Sequence, residues 1–268
     1  MIPVTLTIAG SDCSSGAGIQ ADLKTFSHHG THGLTAVTCV VAETPANVRS
    51  IHAIPPAILQ DQLDILLASY PVAAVKTGML YSKAHIVAVT ELLSEKNIPL
   101  VVDPVMVATS GTSLLDKNAV DSYCERLLPL ASLITPNMPE AEVLLNKAVR
   151  TIEDLEPCAK ELSEKYGCSV LLKGGHLAED QDCLDVLWHD GKAYHYSSPR
   201  IKIGCTHGTG CTLSAAITSH LAHGATIEDA VSASKQWVHS AIANSFQWTT
   251  EDGTTMHCLN HLKPGSLQ

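Results

Sequence analysis

Short runs of β-branched residues alternate with longer segments of helical periodicity along almost the whole chain. Six runs are predicted strands, at residues 4–9, 35–43, 73–79, 99–106, 132–137 and 169–174. Helices are predicted at residues 18–26, 56–68, 83–96, 118–128, 139–146, 152–166, 210–223 and 227–245. This alternation is typical of crossover units, in which helices cover both faces of a mostly parallel sheet. The chain is therefore expected to adopt a three-layer αβα fold.

One segment departs from the alternation. The dipeptide Asp190-Gly191 lies between two short strand-like runs, residues 185–188 and 192–196, which predicts an antiparallel hairpin at one edge of the sheet. The 268 residues contain no linker rich in Pro, Ser or Gly and no internal repeat. We therefore expect residues 1–268 to form a single domain.

The amino-acid composition excludes several classes of function. Apolar residues make up 45% of the chain and charged residues 16%, which suits strands buried on both faces. The formal net charge of -10 argues against a protein that binds nucleic acid or anionic membranes non-specifically. No apolar run approaches the roughly 18 residues of a membrane span, and the first basic residue is Lys24, so a cytoplasmic location is expected. The nine cysteines are an odd number without a C-x-x-C pair, which favours reduced thiols.

A glycine loop, T-H-G-T-G-C at residues 206–211, precedes an apolar helical pattern. Backbone N–H groups at such a helix N-terminus form an anion-binding site. In the first turn, Cys211 is expected to have a thiol pKa lowered by the helix dipole, so that the thiolate can take a proton from an alcohol. From spacing alone, a glycine loop beside an inert buried cysteine explains the pattern equally well.

Polar side chains also follow three predicted strands. Lys173 ends one of them and is a candidate phosphate contact, although an ordinary surface lysine fits the same pattern. Asp103 and Glu140 follow two others, and two carboxylates at neighbouring strand ends can hold Mg²⁺ through water. Capping of a helix N-terminus explains Asn137 and Glu140 almost as well.

Other nucleotide-binding and metal-binding patterns are weaker. Residues 16–21 fit the loose G-x-G-x-x-A dinucleotide fingerprint, but a loop separates them from the first strand, and the chain has no G-x-x-x-x-G-K-[ST] sequence. Histidines cluster at predicted helix ends, where they serve the helix dipole more often than they bind a metal. These are His28, His29, His32, His220 and His223.

Seven segments together resemble the hydroxymethylpyrimidine and phosphomethylpyrimidine kinases, a branch of the ribokinase-like family. They read LTIAGSD, GAGIQADLK, KTGML, VDPVM, TPN, KGGH and HGTGCT, at residues 6–12, 16–24, 76–80, 102–106, 135–137, 173–176 and 207–212. The resemblance implies ATP-dependent phosphorylation of 4-amino-5-hydroxymethyl-2-methylpyrimidine and then of its monophosphate, with Mg²⁺, by a homodimer.

The resemblance also implies roles for individual residues. Gly208 and Gly210 would cradle the transferred phosphoryl group, with Lys173 beside them and Cys211 where most ribokinase-like enzymes have an aspartate base. Asp103 and Glu140 would hold the metal. The implied contacts of the pyrimidine are Gly10, Asp22, Glu43, Met79 and Val105. The implied contacts of ATP are Asn137, Lys173, Thr206, His207, Thr209 and Lys235.

Two departures from the family pattern leave alternatives open. Where many members read Ala-Gln-Asn, this chain has Ala42-Glu43-Thr44, so a carboxylate is expected to face the pyrimidine ring. Residues 106–111 read MVATSG and lack the lid cysteine of cysteine-type pyridoxal kinases, which places a pyridoxine or pyridoxal kinase second. A nicotinamide-dependent oxidoreductase and a non-catalytic nucleotide-binding protein are further alternatives.

Overall fold

Nine strands form one twisted sheet in the order β3-β2-β1-β4-β5-β6-β7-β8-β9. The computed structural model describes residues 1–106, 117–175, 182–201, 207–251 and 253–262. The strands of the sheet are β1 Val4–Asp12, β2 His32–Thr44, β3 Asn47–Ala53, β4 Val72–Thr77, β5 Leu100–Val102, β6 Leu133–Ile134, β7 Ser169–Lys173, β8 Cys183–His189 and β9 Lys192–Ser198. Neighbours from β2 to β7 pair in parallel, while β3, β8 and β9 are antiparallel to their neighbours.

Helices cover both faces of this sheet. They are α1 Gly18–His28, α2 Pro56–Ser69, α3 Lys83–Leu93, α4 Lys117–Ser122, α5 Met138–Leu145, α6 Ile152–Tyr166, α7 Thr209–Ala222 and α8 Ile227–Ala243. On one face α1 and α8 pack against α7, and on the other α3 packs against α2 and α4, and α5 packs against α6. Each face has its own apolar cluster, so the core lies in two layers around the buried strands.

Local sequence explains where these elements begin and end. Eight of the nine residues of β1 are buried, as expected for a central strand covered on both faces. Helix α6 starts with a capping box of Thr151 and Asp154 and ends at Gly167, whose φ of 70° suits a residue without a side chain. Its buried residues recur with helical spacing and face the sheet, which fixes the orientation of α6 on the core.

The structure confirms the three-layer αβα architecture, the mostly parallel sheet and the predicted hairpin edge. It adds β3 and a small separate hairpin, β10 Phe246–Thr249 and β11 Thr255–Cys258, that the pattern did not predict. Two predicted strands are shorter in the structure. The strand predicted at 99–106 has three residues, and the one predicted at 132–137 has two, because the chain turns out of the sheet after them. Within the described ranges, no helix is both long enough and apolar enough to cross a membrane. That residues 1–268 form one domain stays a prediction.

Candidate active site

A cavity of about 690 Å³ lies beyond the carboxyl ends of the parallel strands, within the size range of small-molecule sites. Residues that follow β1, β2 and β4 line one end, here called the substrate end. Residues at the ends of β6, β7 and β9 and at the start of the antiparallel β8 line the other, here called the nucleotide end. The cavity wall includes most of the predicted site residues: Gly10, Glu43, Met79, Asp103, Val105, Asn137, Glu140, Lys173, His207, Gly208, Thr209, Gly210, Cys211 and Lys235. Thr206 lies outside the described residues.

The glycine loop, residues 207–210, separates the two ends of the cavity and opens helix α7. Gly208 is the N-cap of that helix and has a φ of 77°, and a side chain there would overlap the carbonyl oxygen of Gly16. A Cβ on Gly210 would come within 3.2 Å of Lys173 Nζ. The missing side chains thus leave the first backbone N–H groups of α7 open to an anion, next to a lysine ammonium.

Cys211, in the first turn of α7, lines the cavity as predicted, but its predicted ionisation state is wrong. Burial raises the pKa of the thiol to about 11, which outweighs the attraction of the buried Lys76 ammonium. The carboxylates of Asp103 and Asp22 raise that pKa further, while a hydrogen bond from the Gly18 N–H lowers it. The sequence shows the helix N-terminus but not the burial, so the expected thiolate is a neutral thiol near pH 7.

Lys173 and Asp103 form an ion pair beneath the glycine loop, with 3.1 Å between Lys173 Nζ and Asp103 Oδ1. Asp103 is almost fully buried and also accepts a hydrogen bond from the Thr135 hydroxyl at 3.2 Å. Burial lowers the pKa of Lys173, but the Asp103 and Glu140 carboxylates outweigh burial and raise it, so the ammonium stays charged. This places a fixed positive charge at the centre of the cavity.

Glu140 has two roles in the structure. Its carboxylate accepts the Asn137 N–H at 2.8 Å, and its own N–H donates to Asn137 Oδ1 at 2.9 Å, which confirms the capping interpretation of these two residues. The same carboxylate also reaches the cavity wall. Burial and repulsion by Asp103 raise its pKa to about 7 despite the nearby Lys173 ammonium. Two oxygen donors of like charge, close together and largely buried, are a donor set that suits Mg²⁺.

The substrate end combines one carboxylate with small and apolar residues. Glu43 lies near the end of β2, and burial and the Asp12 carboxylate raise its pKa, while His207 lowers it. A Cβ on Gly10 would lie only 2.9 Å from Cys39 Sγ, so glycine keeps this part of the wall open. Met79 and Val105 supply apolar surface. A flat ring with a donor group fits such a pocket.

Asp22 is not on the cavity wall, which corrects the prediction that it faces the substrate. Its side chain is fully buried, and Lys76 Nζ lies 2.8 Å from both of its carboxylate oxygens. The Thr7 hydroxyl donates a further hydrogen bond at 2.6 Å. Asp22 lies on the buried face of α1 that packs on the sheet, where Lys76 of β4 pairs with the carboxylate.

Lys235 lines the nucleotide end, although its ammonium already has partners. Its Nζ lies 2.6 Å from Asp185 Oδ2 and donates to the Cys183 carbonyl at 2.9 Å. The other Asp185 oxygen accepts the Gly174 N–H, so the pair also joins α8 to the ends of β7 and β8. Apolar side chains complete this end of the cavity: Pro199, Ile201, Leu213, Val238 and Ile242.

Two site features were missed from the sequence. Asp12 lines the cavity at the end of β1 and pairs with His207, with 3.0 Å between Oδ2 and Nε2. Lys76 forms the buried pair with Asp22 behind the site. Both residues belong to the segments that carry the family resemblance, but their partners are distant in sequence, and no local pattern indicates such a pairing.

The three-layer αβα fold, with the glycine loop, Lys173 and Asp103 at the centre of one cavity beyond the strand ends, defines the class of protein, a ribokinase-like kinase. Comparison with known proteins identifies the family within this class. The family model described as phosphomethylpyrimidine kinase matches residues 12–256, and the chain belongs to that family. The hydroxymethylpyrimidine/phosphomethylpyrimidine kinase of Haemophilus influenzae is 42% identical over 94% of this chain and 95% of its own length. The chain spans about half the length of two other curated relatives that it matches.

Two solved structures agree with this family assignment, and one of them is a kinase named for a different substrate. A phosphomethylpyrimidine kinase from Clostridium difficile is 40% identical, with a TM-score of 0.79 and coverage of 90% of this chain and 99% of that one. A pyridoxal kinase from Bacillus subtilis, solved as an ADP complex, is 35% identical, with a TM-score of 0.88 and coverage of 97% and 98%. The resemblance to this family stated from the sequence motifs is thus confirmed.

Proposed function

We propose that the protein transfers the terminal phosphoryl group of ATP to 4-amino-5-hydroxymethyl-2-methylpyrimidine and then to its monophosphate, as in thiamine diphosphate synthesis. The observation that carries this proposal is one cavity with Lys173 and the glycine loop at its centre and Glu43 at its substrate end. Similarity to kinases of this name supports the same assignment.

Each end of the cavity has a chemical reason for its ligand. A carboxylate at Glu43 accepts a hydrogen bond from the exocyclic amine of the pyrimidine, and Met79 and Val105 contact the ring faces. The nucleotide phosphates lie toward Lys173 and the N–H groups that open α7. These groups are fixed before the reaction, so they stabilise the charge on the transferring phosphoryl group without reorganising.

Mg²⁺ belongs to this proposal because the donor set fits it. Asp103 and Glu140 would hold the ion, directly or through water, and the ion would neutralise charge on the phosphates. Burial, followed by repulsion from Asp103, raises the pKa of Glu140, so a cation held by both carboxylates would favour the ionised form of Glu140.

Cys211 keeps its proposed place beside the reacting hydroxyl, but as a neutral thiol in the free enzyme. Loose phosphoryl-transfer transition states ask little of a base. A neutral thiol cannot take a second proton, so Cys211 Sγ accepts only a weak hydrogen bond from the reacting hydroxyl, and the hydroxyl proton leaves to a phosphoryl oxygen as the new P–O bond forms. We therefore assign the catalysis to the fixed charges and N–H donors.

A pyridoxal kinase activity is the second candidate, favoured by the high structural similarity to the Bacillus subtilis enzyme. Incubation with MgATP and each acceptor in turn, with phosphorylated products followed by mass spectrometry, separates the two. A higher kcat/KM for the pyrimidine supports the proposal, and a higher value for pyridoxal reverses it. A homodimer and a cytoplasmic location remain parts of the proposal, and sedimentation of the purified protein tests the first.

A further inference from the structure

Two loops from distant parts of the chain touch each other at the centre of the cavity. One is the glycine loop, residues 207–210, and the other is the β1 loop, residues 13–17, which connects β1 to α1. A Cβ on Gly16 would lie 2.5 Å from the imidazole carbon Cδ2 of His207, and a Cβ on Gly208 would overlap the Gly16 carbonyl oxygen. Gly208 is therefore needed for the two backbones to approach this closely, and Gly16 leaves room for the His207 ring.

Asp12 and His207 connect these loops through a nearly buried hydrogen bond. Asp12 Oδ2 accepts from His207 Nε2 at 3.0 Å, and it also accepts from the N–H groups of Gly16 and Ala17 and from the Ser14 hydroxyl. Burial raises the pKa of Asp12, but the bond from His207 and those from the loop outweigh burial and lower it to about 2. Because an ionised carboxylate only accepts, the imidazole carries its proton on Nε2.

A metal ion is a weaker explanation of the same residues. Asp12, Glu43 and His207 offer ligand atoms within 4.8 Å of one another. However, Asp12 Oδ2 and His207 Nε2 already bond to each other, and Asp12 Oδ2 has three further donors around it. A cation would have to displace these hydrogen bonds. The geometry therefore favours a structural link between the loops.

We propose that His207 is a positioning residue, and that its bond to Asp12 holds the glycine loop at a fixed distance from the substrate end. This inference rests on the proposed kinase function and replaces the expected contact of His207 with ATP. The glycine loop carries the N–H donors of the phosphoryl site and leads directly into Cys211. Ala17, the last residue of the β1 loop, and Gly18, which follows it, line the substrate end. The bond thus holds the phosphoryl-donor site and the substrate end at a fixed distance from each other.

The test uses two substitutions at one position. His207→Leu removes the N–H donor, and we expect kcat to fall about a hundredfold with little change in KM for ATP, because misplacing reacting groups slows chemistry rather than binding. His207→Gln keeps an N–H donor near the Nε2 position, and we expect kcat within about threefold of the parent value. His195→Leu is the matched control, since it removes an exposed His–carboxylate pair, with Glu156, and neither residue lines the cavity.

A second measurement separates this inference from the proposed function. In His207→Leu, hydrogen exchange at the amides of Gly16 and Ala17 should become faster, although the substitution lies on the other loop. Exchange needs no turnover, so it still tests the link if the parent does not phosphorylate the pyrimidine, a result that contradicts the proposed function alone. Unchanged exchange, or a raised KM for ATP at unchanged kcat, would overturn the positioning role and restore the nucleotide contact.

Discussion

The Cys211 thiol shows how burial and helix position compete at a single residue. Helix N-termini lower thiol pKa values, whereas loss of water contact raises them. Here burial dominates, and the pKa rises to about 11. At pH 7 about one thiol in ten thousand would then be ionised, which makes Cys211 a poor nucleophile toward reagents even though it lines the cavity.

Alkylation of Cys211 should accordingly be slow at pH 7 and accelerate toward pH 11, because only the thiolate reacts. Iodoacetamide labelling followed by peptide mass spectrometry measures the rate at this cysteine among the nine. The exposed Cys13 in the same sample reports on the reagent. A labelling rate with a midpoint below pH 8 would show that the helix dipole controls this thiol after all.

Lys173 carries the fixed positive charge of the site, so its removal should slow turnover strongly. Lys173→Ala removes a charge directed at the transferring phosphoryl group and leaves Asp103 without its partner, and we expect a loss of about a hundredfold or more in kcat. Steady-state kinetics measures this. Lys160→Ala, at an exposed lysine of α6, is the control and should match the parent. Equal turnover in the two variants would place Lys173 outside the reaction.

Glu43 should set the choice between acceptors, because it stands where many family members have glutamine. Glu43→Gln gives the position a donor as well as an acceptor, and an unpaired buried group costs roughly 1–3 kcal/mol. We expect the ratio of kcat/KM for the pyrimidine and for pyridoxine to change about tenfold. Glu91→Gln, on the exposed side of α3, serves as the control. An unchanged ratio would mean that Glu43 does not contact the ring.

At the scale of whole elements, a group of histidines joins the helices α1, α7 and α8. The rings of His28 and His29 lie 4.7 and 4.6 Å from the ring of Trp237, and those of His29 and His220 are 4.8 Å apart. A hydrogen bond of 3.0 Å joins His261 Nε2 to the Thr212 hydroxyl of α7. These contacts stabilise the face of the molecule that carries the glycine loop.

His261 should make stability sensitive to acid. Burial, followed by the nearby Lys24 charge, lowers its pKa to about 4, below the value of about 6.5 in an unfolded chain. The neutral ring therefore stabilises the fold above pH 6.5, and this contribution is lost as pH falls toward 4. The free energy of unfolding of the parent minus that of His261→Asn should decrease by about 3 kcal/mol between pH 7 and pH 4.

Urea unfolding at several pH values measures this difference and cancels the titrations that parent and variant share. Glu140, whose pKa is raised to about 7, changes stability in the opposite direction over the same range, so the parent curve alone is not diagnostic. His52→Asn, at an exposed position of β3, is the control substitution of a histidine outside this group. A constant difference between parent and His261→Asn would contradict the buried, neutral state of His261.

The sequence predicted elements well where burial enforces a period and poorly where it does not. The strands from β1 to β7 in the parallel part of the sheet, and the long helices, are covered on a defined face, so their apolar residues repeat regularly. Strand β3 is an exposed edge with few buried residues, and β10 and β11 pair away from the main sheet. Such strands are stabilised by neighbours that are distant in sequence, and their own residues show no clear alternation.

The same distinction applies to the site. Residues after parallel strands were predicted to meet because carboxyl ends share one edge of the sheet, and Lys173, Asp103 and Glu43 do meet there. Asp22 was misplaced because the resemblance assigns it to the pyrimidine, whereas its partner Lys76 lies on a strand 54 residues away that no local pattern connects with α1. The Asp12–His207 bond joins residues 195 positions apart, a separation at which local patterns carry no signal.

For the whole molecule, we propose that one cavity binds ATP and a hydroxymethylpyrimidine together and transfers a phosphoryl group between them. The most direct measurement incubates the protein with MgATP and 4-amino-5-hydroxymethyl-2-methylpyrimidine and follows ADP, the monophosphate and the diphosphate over time by ³¹P NMR. We expect the monophosphate to form first and then to be converted to the diphosphate, with one ADP released for each step. Binding of both ligands without phosphorylated product, or phosphorylation of pyridoxal alone, would contradict it.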